Sequence, residues 1–225
     1  MTPRSPAVSF RPAILLALLG SLLLSGCITA RVEETKDAAT GMDSGDNVVI
    51  LARSHITGNE TEINFVDCVT EKVASGSNRV SVYPAAEFVD ALFPWFEPRT
   101  SPKNIEDLPD LLARPGILER IQERNIRYII WVRGDTDQTN SGGGLSCAVG
   151  PGGGGCFGLA WWEDQAAYKA AVWDLDDGVQ SGSVSANVTG TSAIPAVVVP
   201  VPLIARTRAA ACKGLSKQLK TFLNE

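Results

Sequence analysis

Val184, Ala186 and Val188 alternate with Ser183, Ser185, Asn187 and Thr189 along one run of the chain. A period of two places the apolar set on one side of a strand and the polar set on the other. Such a strand is half-solvated, which suits an antiparallel sheet and not a parallel one buried on both faces. Just upstream, Asp176-Asp177-Gly178 carries the composition of a hairpin turn. Residues 157–175 and 179–190 are therefore predicted to be two long antiparallel strands.

The remaining pattern is mixed. Val48-Val49-Ile50-Leu51 is a short continuous apolar run suited to a central strand, and 127–133 (Arg-Tyr-Ile-Ile-Trp-Val-Arg) is a second one. Between them, Ile63, Val66, Val69, Thr70 and Val73 share one face at helical spacing. A strand over 78–83 follows, then a short helix over 84–92 that proline can start because its missing N–H costs nothing there. Residues 93–109 are predicted to be irregular, and 111–124 to be a helix with Ile117, Leu118 and Ile121 inward. A closing helix over 202–223 presents Ile204, Ala211, Cys212, Leu215, Leu219 and Phe222 on one stripe. The predicted class is α/β (α+β): one mixed sheet of about five strands with a hairpin meander, helices packed on it, and a C-terminal helix closing the fold.

Residues 1–26 precede this domain with Arg4 and Arg11 near the start and an apolar run from Ala13 to Leu24. That run is shorter than the roughly 20 residues a membrane helix needs, and has the proportions of a signal h-region. It ends in Leu24-Ser25-Gly26-Cys27, which resembles the lipobox of bacterial lipoproteins at all four positions. The resemblance implies cleavage before Cys27 and a covalent lipid on its thiol, with no other cofactor. Ile28 follows, where aspartate would resemble an inner-membrane retention signal, so the outer membrane is the expected location, facing the periplasm. Residues 27–46 are polar and acidic without periodicity, and are predicted to be a flexible tether reaching roughly 25 Å. The globular domain is expected over 47–225.

Four further cysteines remain, and in an exported chain an even number suggests disulfides. Cys147 and Cys156 flank an eight-residue stretch containing five glycines, flexible enough to bring its ends together. Cys68 and Cys212 then pair by elimination, joining the first helix of the domain to the last. The competing reading keeps Cys68 and Cys212 as buried free thiols.

The formal charge is −5 at pH 7 with only seven lysines, which gives no electrostatic footprint for nucleic acid. Gly150 to Gly155 lack the lysine and hydroxyl residue that follow the glycines of a phosphate loop. Asp174-Leu175-Asp176-Asp177-Gly178 misplaces the glycine of a calcium loop and lacks its closing glutamate. No metal site and no catalytic set is predicted. An envelope hydrolase would have to use His55, the single histidine, or carboxylates. More suggestive are Phe93, Trp95, Phe96 and Arg99 in a proline-stiffened loop, since aromatic groups with arginine are common interface anchors. Trp161 and Trp162 open a strand beside the glycine loop, where they offer a glycan or small-ligand surface. Ala193 to Ala205 is almost wholly apolar with three prolines, and is expected to be mostly buried as an extended lead-in to the last helix.

The order of elements resembles the TolB N-terminal-like fold, used also by the curli-export lipoprotein and by lipoproteins that activate penicillin-binding proteins. The resemblance spans about 47–223 and rests on element order. It implies a non-enzymatic accessory or assembly factor, bound to the bilayer through acylated Cys27 and to another envelope protein through its surface.

Overall fold

The computed structural model describes residues 27–52, 61–97, 100–102 and 105–225. Its strands are β1 (Ile28–Lys36), β2 (Asn47–Ala52), β3 (Val82–Tyr83), β4 (Ile126–Gly150), β5 (Gly153–Asp174) and β6 (Val179–Pro200). The helices are α1 (Ile63–Val73), α2 (Ala85–Ala91), α3 (Leu108–Leu112), α4 (Ile117–Gln122) and α5 (Thr207–Asn224), with a 3-10 turn at Ile105–Asp107. All six strands form one mixed sheet in the order β1-β6-β5-β4-β2-β3. β2 runs parallel to β3 and β4, while β4, β5, β6 and β1 are antiparallel neighbours. The α+β class, the meander and the closing helix are as the sequence predicts; the sheet has one strand more.

The two faces of the sheet are covered unequally. On one, α1 and α5 pack Phe65, Val69, Leu215, Leu219 and Phe222 over Ile50, Tyr128, Ile130, Tyr168, Val172, Val184, Ala186 and Val188. On the other, α2, α3 and α4 pack Phe88, Leu108, Ile117 and Ile121 over Val49, Ile129, Trp131 and Trp173. That second layer reaches from β2 across β4 to Ala171 and Trp173 at the end of β5 and no further. This explains the sequence pattern. β2 is apolar at every central position because helices lie on both sides of it. β6 alternates because its Val184, Ala186 and Val188 face is fully buried while Asn187 on the opposite face is exposed.

The extra strand is the expected tether. Ile28–Lys36 pairs with β6 over nine residues, from Ile28 opposite Gly190 to Lys36 opposite Gly182. An edge strand needs little apolar content, and charges there discourage pairing with other chains. Only Val32 packs on the core. Lys36 lies over the Phe222 ring at 5.4 Å, and Glu34 accepts from Gln218 Nε2 at 2.8 Å. Ile28, Ala30 and Val32 do alternate with Thr29, Arg31 and Glu33, but the run is only three apolar residues long before Glu34 and Lys36 take the same face.

The strands of the meander are also longer than predicted. β4 and β5 continue through the glycine-rich region as a hairpin whose register runs without a break from Asn140 opposite Glu163 to Gly150 opposite Gly153. β6 continues past β1, paired with β5 as far as Val198 opposite Cys156. Pro195 falls where β6 has lost β1 as its outer neighbour, the edge position a strand proline requires, and Pro200 follows the last residue paired with β5. The predicted burial of residues 193–205 does not hold: Val197, Val198, Val199, Val201 and Ile204 are exposed. Their prolines hold the segment at the sheet edge, away from the helical layer. Only Ala196 and Ala205 are buried, and Leu203 folds back to bridge Ala193.

Two disulfides join the cysteines as the spacing suggests. Cys68 in α1 bonds Cys212 in α5, linking the two helices of one layer. Cys147 bonds Cys156 directly across the β4–β5 hairpin, with Cα atoms 4.0 Å apart. Cys27 is the one free cysteine among the described residues, and it is exposed.

Candidate functional surfaces

Two surfaces stand outside what folding the core requires. The first is the arm formed by the ends of β4, β5 and β6. Residues 141–162 and 191–205 contain no Asp, Glu, Lys, Arg or His, in a chain that is 20% charged. The charged residues resume at the root of the arm, with Asp135, Asp137, Glu163 and Asp164. Val149 is 91% exposed, Phe157 73% and Val197 77%. Phe157 and Val197 are cross-strand neighbours, and Val198 lies opposite Cys156 on the other face. Both faces of the arm are therefore apolar.

The glycines of the arm have a structural reason. Gly143 adopts φ +79°, and a Cβ there would stand 2.0 Å from the Leu159 carbonyl oxygen. Gly158, at φ +140°, would place one 2.3 Å from the Gly144 carbonyl oxygen. At both sites the backbones approach too closely for a side chain, and the conformation itself favours glycine. The glycine run thus serves a stapled hairpin and no helix follows it.

The second surface is the side of β4, β5, β6 and β1 that the α2–α4 layer does not reach. Arg133, Asp135, Lys169, Ser185 and Asn187 line an open concavity of about 460 Å³ there. Oppositely charged groups interleave with hydroxyl and amide groups, so the surface is polar with no dominant sign. Away from this concavity, at the start of β4, Arg127 bonds Asp174 at 2.8 Å and also pairs with Asp176. Burial works against the Arg127 charge, but the hydrogen bond and charge of Asp174 outweigh it and hold the guanidinium pKa above its usual value. Asp174 Oδ1 accepts the amides of Asp176 and Asp177 at 2.9 and 3.1 Å. The acidic cluster is a hydrogen-bonded turn, as its composition suggests.

The other candidates separate. Phe96 is buried and meets Phe88 edge-on with ring centroids 4.8 Å apart, so it belongs to the core. Trp95 is half-buried beneath Arg114, whose guanidinium lies 4.3 Å from the ring centroid. Phe93 alone of the three aromatics is exposed, at 65%. Arg99 and His55 lie outside the described residues. Trp161 and Trp162 are adjacent in β5 and project from opposite faces, both half-buried. Trp161 occupies the space left by Gly142, and Trp162 Nε1–H donates to Asp164 at 3.1 Å. They make no coplanar platform for a sugar ring. The sequence reading missed the arm as a unit, although its charge-free composition was the available signal.

These features define an α+β protein built on one mixed sheet with a projecting three-stranded arm. No family model and no curated protein matches the chain. Among solved structures it is similar to two PelC dodecamers from Paraburkholderia phytofirmans. One is 13% identical with a TM-score of 0.39, covering 88% of this chain and 100% of that one. The other is 12% identical with a TM-score of 0.39, covering 88% and 99%. At that distance, function has to be read from this chain's own surfaces.

Proposed function

We propose that this chain is a lipid-anchored accessory protein of the bacterial envelope, held at the outer membrane through Cys27, that binds another envelope protein and catalyses no reaction. The lipobox-like sequence supplies the anchor. The observation that carries the reading is where Cys27 stands: its carbonyl accepts the Thr191 amide at 3.1 Å, where β1 meets the root of the arm. A lipid on that residue orients the whole domain on the membrane and leaves its surfaces at a fixed height. The uncovered polar sheet face around Asn187 and Lys169 is the surface for the protein partner. It is broad, shallow and mixed in charge, as the rim of a transient interface is.

A photo-crosslinking residue at Asn187, in cells making the lipidated protein, tests this. One envelope protein recovered from Asn187, and not from a probe on the exposed helix position Lys217, is the expected result. No adduct at Asn187, together with a wild-type phenotype for Asn187→Arg, would remove the partner reading.

A further inference from the structure

The arm has exposed apolar residues on both faces, no charge, and a disulfide that holds its end in one shape. Neither helical layer covers it. β1 runs antiparallel to β6, with Ile28 opposite Gly190 and Lys36 opposite Gly182. The chain therefore enters β1 from the arm side, and Cys27 stands beside Thr191 where the arm begins. From Thr191 to Val198, its last residue paired with β5, the strand continues in that direction for roughly 23 Å, at about 3.3 Å per residue. An acyl chain at Cys27 brings the bilayer to the root of this arm.

From this juxtaposition we propose that the charge-free end of the β4–β5–β6 arm is a second membrane contact, docking into the lipid leaflet that holds Cys27. The inference rests on the anchoring just proposed and adds the orientation of the domain. The arm's composition fits this occupant. Charged side chains are costly in the apolar layer, and none occurs in 141–162 or 191–205. Trp161 and Trp162 mark the border between the apolar arm and Glu163 and Asp164. Amphipathic indole rings favour that level of a membrane.

The backbone limits how deep the arm goes. β4 pairs with β2 only as far as Val132, and beyond it no strand lies on the outer side of β4 among the described residues. Open-edge N–H and C=O groups are not tolerated in hydrocarbon. The arm therefore lies in the interfacial layer, its apolar side chains in the upper acyl region and its edges still hydrated.

The test uses the processed protein purified from membranes and reconstituted in phosphatidylethanolamine–phosphatidylglycerol vesicles carrying a phospholipid with a photoreactive acyl chain. Mass spectrometry maps the adducts, and the intact mass reports separately whether Cys27 is acylated. Adducts within 143–160 and 194–201, and none in α1 or α5, are expected. Phe157→Glu with Val197→Glu, two exposed neighbours outside the core, should lower arm labelling about fivefold or more with Cys27 acylation unchanged. Adducts confined to the Cys27 peptide would overturn the proposal, as would arm-to-arm crosslinks between copies in place of lipid adducts. Arm labelling on a chain with unmodified Cys27 would support the arm contact and defeat the anchor reading.

Discussion

The carbonyl of Cys27 accepts a hydrogen bond from the amide of Thr191 at 3.1 Å, one residue beyond the last paired position of β1 and β6. The residue that resembles a lipidation site is thereby part of the sheet. A protein hung on a coil samples many orientations above its membrane, whereas one anchored at a strand terminus samples few. The arm and the open polar face gain meaning from that fixed relation.

Cys27→Ser should abolish incorporation of labelled palmitate into the chain, and persistent labelling would end the lipoprotein reading. In the same protein, amides of residues 28–36 that face β6 should exchange slowly with deuterium. Exchange at random-coil rates throughout that segment would restore the flexible tether.

Removing the Arg127 guanidinium leaves the Asp174 carboxylate, whose side chain is fully buried, without its charged partner. Breaking such a pair from one side costs several kcal/mol. Arg127→Ala should lower the unfolding free energy in urea by about 3 kcal/mol, less what the turn amides at Asp176 and Asp177 still supply. A change below about 0.5 kcal/mol, the level of an ordinary surface substitution, would show that the pair contributes nothing.

The two disulfides should behave differently. Cys68–Cys212 closes a sequence separation of 144 between helices of the core, so replacing both cysteines by alanine should destabilise the fold by about 2–5 kcal/mol. Cys147–Cys156 closes a separation of nine within the arm. Its removal should speed amide exchange in 141–162 and leave the urea midpoint nearly unchanged. Equal shifts of the midpoint for both variants would mean that the arm unfolds together with the core.

Burial pushes the Tyr168 hydroxyl pKa up to about 12, with the Thr136 hydrogen bond at 2.8 Å working in the opposite direction. The unfolded chain titrates that group near 10, so between about pH 10 and 12 the unfolded state binds fewer protons than the folded one. The associated stability is complete below pH 10 and is lost as pH rises toward 12. The loss should reach about 2 kcal/mol. Tyr128 is raised by burial too and adds in the same sense. Tyr168→Phe should flatten part of this dependence in urea melts at pH 9 and pH 12, and an unchanged slope would refute the assignment.

Where side-chain periodicity carries the signal, the sequence was legible. The Val184, Ala186 and Val188 alternation, the uniform apolar run of β2 and the stripe on α5 each follow from which faces are buried, and the α+β class follows from their order. The cysteine pairing was legible because chain spacing limits which loops close easily. β1 and the arm were not: the alternation of Ile28, Ala30 and Val32 in β1 is too short to stand out within an acidic segment, and the glycine-rich arm shows no hydrophobic period. β1 is held by backbone pairing at a charged edge, and the arm by close strand contacts that glycine permits at Gly143 and Gly158. Backbone hydrogen bonds are the same for every residue type but proline, so the sequence does not announce them. The four residues before and including the candidate lipidation site point to an anchor from local chemistry alone. Only the tertiary structure decided where that anchor meets the sheet, because the Thr191 amide lies 164 positions away along the chain.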